Sequence, residues 1–201
     1  MYEFKSEIEA PTLAFAKFNY ALQIAQAVCL LKPEYGITAI AIAIFASSGE
    51  MAAALKAPRA PALAWAGALL ALQQYSDSVP DWLLPGLLVA SGLHGIFAFD
   101  QAMNMYGIGS VGADPKKPMT LSAQSKTMAK FVNGGFVALG AFLLAPKLGY
   151  SSAQAFAAYG LVYAAVILKM VLMDGGTDLF NPIGGYVWAA LFGGAGASAL
   201  M

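Results

Sequence analysis

The stretch AKFNYALQIAQAVCLLKPEYG, residues 16–36, returns in outline as AKFVNGGFVALGAFLLAPKLG at residues 129–149. The two align without a gap at an offset of 113. Eight of the twenty-one positions are identical: Ala16/Ala129, Lys17/Lys130, Phe18/Phe131, Ala25/Ala138, Leu30/Leu143, Leu31/Leu144, Pro33/Pro146 and Gly36/Gly149. Each copy reads as an apolar helix that opens near a lysine and closes at a proline, because proline lacks an N–H and its ring clashes with the preceding turn. The glycine that follows suits a turn into the next helix. The lysine suits an interface, with its stem in apolar surroundings and its ammonium in water. Helix ends therefore account for the shared skeleton, which does not by itself mark a site.

The rest of the chain extends this pattern. It is 59% hydrophobic and 11% charged, against about 45–50% and about 25% in soluble domains, so the fold class expected is all-α, a polytopic integral membrane protein. A span takes roughly 17–25 predominantly apolar residues. Breaks at polar or Pro/Gly clusters then predict seven helices, near 12–32, 37–56, 60–75, 82–104, 129–146, 152–173 and 182–200. An outer-membrane barrel would alternate apolar and polar residues with period two, and runs such as GALLAL and YAAVILKMVLM do not. The opening MYEFKSEIEAPT has no basic segment followed by an apolar core, so it does not read as a secretory signal. Net charge is zero and the one basic pair, Lys116 and Lys117, has no interleaved aromatics, so no nucleic-acid partner is expected. Cys29 is the only cysteine and cannot close an intrachain disulfide.

Seven spans sort the loops by charge. The N-terminus, Lys56, Arg59, Lys116, Lys117 and Lys126 fall on one face, whereas the other keeps Lys32 and Lys147 beside Asp77 and Asp81. This bias places the N-terminus on the cytoplasmic, matrix or stromal side of its membrane. The two copies of the AKF unit then run parallel, and three helices per copy need one returning span between them. The expected plan is a single membrane domain, 1–201, with a parallel 3+1+3 internal repeat: about 12–75, a linker helix 82–104, a loop 107–127, and about 129–201. Beyond the first helices the match weakens: Ala52/Ala165, Leu55/Leu168 and Lys56/Lys169 still agree, whereas WAGALLAL and WAALFGG in the third helices align only with a gap. The alternative is chance likeness among abundant Ala, Leu and Gly.

Few side chains offer chemistry. His94 is the only histidine, which excludes HExxH zinc, di-iron histidine pairs and bis-histidine haem. It is a candidate axial ligand for a chlorophyll-type pigment, with Ser91, Gly92 and Gly95 making room for a flat ring. The alternative is an interhelical hydrogen bond. Glu50 and Asp100 are the carboxylates nearest the membrane interior, and both are expected in structural ion pairs, Glu50 with Lys17 or Lys56 and Asp100 with Lys126 or Lys130. Tyr163 takes the place of Glu50 in the second copy. GIGSVG at 107–112 satisfies a dinucleotide pattern but follows an apolar helix rather than a strand, so it reads as loop. DGGTD at 174–178 reads as a turn.

Gly185, Ala189, Gly193 and Ala197 recur every four residues, a stripe that lets a helix of this chain or of a partner approach closely. Trp65, Trp82, Trp188, Tyr75 and Tyr150 suit interface belts. No lysine in 179–201 could carry a retinal Schiff base. Only Glu50, His94, Asp100, Asn133, Gln23, Gln26 and a few hydroxyls could line a pathway, and no nucleophile, base and oxyanion set points to an enzyme. The function expected is an accessory or scaffold subunit of a larger membrane complex, energy-transducing or photosynthetic, with other membrane subunits and lipids as partners and with lipid or pigment bound. The alternative is a small-solute transporter built on the 3+1+3 repeat.

Overall fold

The computed structural model describes residues 7–105, 121–175 and 181–201. Those residues form eight α-helices and no strand: α1 (Ala10–Leu31), α2 (Gly36–Leu55), α3 (Ala60–Gln74), α4 (Leu83–Phe97), α5 (Phe99–Met105), α6 (Ala123–Leu144), α7 (Ser152–Leu172) and α8 (Pro182–Ser198). Local chemistry sets the ends. Ser151 and Gln154 form a reciprocal capping box at α7, and the Ser122 hydroxyl accepts from Ser125 N at α6. Asn181 Oδ1 accepts from Ile183 N at α8, where Pro182 occupies a position whose missing N–H costs nothing.

Both recurring prolines stand where helices stop, Pro33 first and Pro146 second in a 3₁₀ turn. The glycines after them differ. Gly149 has φ +86°, the left-handed turn that glycine tolerates. Gly36 is helical, and a Cβ there would lie 2.7 Å from Cys29 Sγ, so it serves close packing of α2 on α1 rather than the turn.

The expected helix over 82–104 is not continuous. The backbone leaves the helix at Ala98, and α4 and α5 meet at a bend of 119°. The bend brings Phe99, Ala102 and Met103 into the core and leaves Asp100 outside. Three helices are long and apolar enough to cross a membrane, Pro33–Leu55, Ala123–Leu148 and Ser152–Leu172, with α4 and α5 a fourth if the bent pair counts as one. The other expected spans fall short for separate reasons. Lys17, Asn19, Gln23 and Gln26 dilute the apolarity of α1, whereas α3 has 15 residues and α8 has 17.

The helices pack in one chain of neighbours: α3 on α2, α2 on α1, α1 on α6, α6 on α7 and α7 on α8, with α4 laid against α6. Helix α6 is central and the most buried, with Phe131, Val132, Ala138 and Leu139 under 5% exposed. Where α1 meets α6, the hydroxyls of Thr12 and Ser125, 113 residues apart, share a buried hydrogen bond of 2.8 Å. Arg59 Nε donates to Ser48 Oγ at 2.7 Å and Thr38 Oγ1 to Gln73 Oε1 at 3.0 Å, tying both ends of α3 to α2.

Small residues allow the tightest crossings. A Cβ on Gly160 would lie 2.5 Å from Phe192 O, and one on Gly196 3.0 Å from Ala157 O, so α7 and α8 touch backbone to backbone. The small face of α8 thus meets α7 of the same chain, through Gly185, Ala189 and Gly196.

Candidate functional site

Two cavities flank the α1/α6 contact. The smaller, about 110 Å³, is apolar and lies among α1, α2, α3 and α6. The larger, about 510 Å³, lies among α1, α6, α7 and the first turns of α8; binding sites for small molecules typically measure about 300–1,000 Å³. Five lining positions of the smaller cavity have a counterpart 113 residues away in the larger. Phe18, Pro58 and Asn133 line the smaller cavity, and Phe131, Val171 and Tyr20, each displaced by 113 residues, line the larger. Phe136 and Ala57 likewise pair with Gln23 and Met170 at the same spacing. Trp65 lines one cavity and Trp188, which is also 49% exposed, lines the other.

Polar groups concentrate in the larger cavity. Tyr159 and Tyr163 are four residues apart on α7, hence on one face, and their rings stack with centroids 5.8 Å apart and planes 10° apart. Phe192 stands edge-on to Tyr163 at 4.6 Å and stacks with Trp188 at 5.8 Å. The Tyr159 hydroxyl donates to Gln26 Oε1 at 3.0 Å. That bond fixes the amide, so Gln26 Nε2 must find its acceptor elsewhere. Among the described residues it has none, and neither does the Tyr163 hydroxyl. The amides of Gln23 and Gln26 lie beside that hydroxyl without closing a hydrogen bond to it. Gln26 is 3% exposed and Tyr163 1%. A buried polar group without a partner costs about 1–3 kcal/mol. Among the described residues no charged side chain lines this cavity.

No family model, curated protein or solved structure matches the chain. Geometry alone therefore carries the functional reading.

His94 sits half-buried on α4. The room expected beside it for a flat ring is filled. A Cβ on Gly92 would lie 2.6 Å from Asn133 O, and one on Gly95 would strike the Asn133 side chain. Both glycines admit α6, and the Ser91 hydroxyl turns back to Leu88 O at 3.1 Å. Among the described residues no cluster of His, Cys, Asp and Glu could hold a metal ion.

The carboxylates fall in ion pairs. Glu50 meets Lys17 across α1 and α2, and Asp100 meets Lys126 at 3.3 Å. Lys56 is not in the Glu50 pair. It caps α2 in the left-handed conformation, φ 49°, which turns the chain away from the helix. Lys130 joins Asp174 rather than Asp100, because Asp174 at the end of α7 faces α6. Lys17 and Glu50 are each about half exposed, so Glu50→Gln is expected to change stability by only ~0–1 kcal/mol. Thermal unfolding in detergent measures this; a larger loss would mean that the pair is shielded from water.

GIGSVG, Lys116 and Lys117, and most of DGGTD lie outside the described residues. Gln23 and Gln26 stood out in sequence as polar residues within an apolar helix. Tyr163 stood out only as the counterpart of Glu50 and Tyr159 not at all, although their spacing puts two hydroxyls on one face of the apolar helix α7.

Proposed function

We propose that this chain is a seven-span membrane protein with a parallel 3+1+3 plan, and that it carries a small neutral solute across the bilayer through the larger cavity. In this plan α1–α3 and α6–α8 are the two halves, and α4 with α5 is the connector. The neighbour order supports it, since α1, α2 and α3 pack in the same sequence as α6, α7 and α8. Equivalent residues also meet where the halves join, as Thr12 and Ser125 do, which a two-fold axis along the membrane normal would produce. The positive-inside bias would set the N-terminus on the cytoplasmic, matrix or stromal side.

The observation that carries the transport reading is the larger cavity itself. Tyr159 and Tyr163 lie near the middle of α7, a helix long enough to cross the membrane, and α1 of the other half closes the opposite wall. Transporters built from repeats place solute sites at mid-membrane where the halves meet. Purified protein in liposomes tests this by light scattering after an osmotic step with uncharged solutes. Faster re-swelling than in empty liposomes, slowed by Gln26→Leu, is the expected result. Swelling no faster than in empty liposomes across the panel would sink the reading.

A second reading is a subunit of a larger complex that holds lipid or pigment. It is favoured by α8, which packs on α7 and leaves Ile183, Val187 and Leu191 exposed. Native mass spectrometry from the source membrane separates the two: a particle far heavier than 20.9 kDa, with other polypeptides, supports the subunit.

A further inference from the structure

We propose that the larger cavity recognises a neutral, flat ring bearing a carbonyl oxygen; this rests on the small-molecule reading above and names its ligand class. The lining mixes two kinds of group. Neutral polar side chains, Gln23, Gln26 and Tyr163 among them, share the lining with the aromatic surface of Trp188 and Phe192, and Phe192 stands against Tyr163 itself. A polyol would need polar partners all round its ring, whereas this cavity sets its polar groups among π-faces that suit a flat ring.

Protonation and charge sharpen the choice. The Tyr159 hydroxyl occupies Gln26 Oε1, which commits the amide to present its N–H₂. Gln26 Nε2 and Tyr163 Oη are therefore two buried donors awaiting an acceptor, and a ring carbonyl, with two lone pairs, can accept from both. Among the described residues no Lys, Arg, Asp or Glu lines the cavity, so none of them offsets the desolvation of an ionised ligand. Burying one would cost far more than burying its neutral analogue.

Such a ring could come from water, as a nucleobase-like heterocycle, or from the bilayer, as a quinone. Calorimetric titration of the full chain in lipid nanodiscs, referenced to empty nanodiscs, distinguishes them with uracil and duroquinone as probes. Orotate, which is uracil with a carboxylate, tests neutrality without any mutation. Saturable binding of uracil or of duroquinone is expected, with orotate roughly tenfold or more weaker than uracil if the ring is water-borne. Tyr163→Phe, which keeps the ring and removes one donor, should weaken the bound probe roughly tenfold. Failure of both neutral probes to bind, orotate binding as tightly as uracil, or an unchanged affinity in Tyr163→Phe would each overturn the inference. Ring binding without solute flux in liposomes upholds this ligand class and removes the transport reading. Flux of glycerol with no ring binding overturns the ligand class and leaves transport standing.

Discussion

Asp174→Asn is expected to lower the stability of the folded chain by about 3–5 kcal/mol, read as a fall in the thermal unfolding midpoint in detergent. The carboxylate is 12% exposed and holds two ammonium groups, Lys130 at 3.1 Å from α6 and Lys169 at 2.8 Å from α7. The backbone carbonyl of the same residue accepts from Thr127 Oγ1 at 3.1 Å, so one residue at the end of α7 fastens the end of α6. Replacing the carboxylate with an amide leaves two like charges facing each other, each only 26% exposed. The pair itself contributes little net stability, because desolvation offsets most of the attraction. The loss comes from the charges stranded when the carboxylate goes. Changing Lys169 to Met in the Asp174→Asn background should recover part of the loss. A loss below about 0.5 kcal/mol in Asp174→Asn would mean that both lysines snorkel to water when released.

Gly92→Val is expected to cost about 3 kcal/mol, at the upper end for overpacking. A Cβ there would lie 2.6 Å from Asn133 O and 2.9 Å from Val137 N. These are backbone atoms of α6, which cannot rotate aside as a side chain can. Either α4 lifts away along its length or the crossing shifts. The contact is reciprocal, since a Cβ on Gly140 would lie 2.8 Å from Pro85 O. Gly67→Ala is the control: nothing lies within 4 Å of its Cβ, and the gain in helix propensity should stabilise by up to ~1 kcal/mol. Comparing the two variants by thermal unfolding separates steric conflict from any general effect of losing glycine. Equal midpoints for both would show that α4 yields freely on α6.

Helix positions were legible because they depend on neighbours in sequence. Apolar runs, prolines and capping residues act within a turn or two. The expected boundaries at 37–56, 60–75 and 152–173 accordingly lie within about one residue of α2, α3 and α7. The bend at Ala98 was not legible, since no proline or glycine marks it. It follows from where Phe99 and Met103 find partners, which is a property of the packed bundle. The two glycines beside His94 show the same limit. Glycine in sequence announces that something comes close, and cannot say whether that is a ring or a neighbouring helix.

Composition and local pattern, by themselves, determined that this chain is helical, where five of its helices start and stop to within about two residues, and that several suit a membrane, because those outcomes depend on hydropathy and backbone chemistry within each segment; α6 starts at Ala123, inside the loop expected over 107–127 and six residues before 129. Only the tertiary structure decided which polar residues share a space. Gln26 and Tyr159 are 133 residues apart and meet in one hydrogen bond, and that meeting is set by how α1 and α7 pack around α6, which no local pattern encodes.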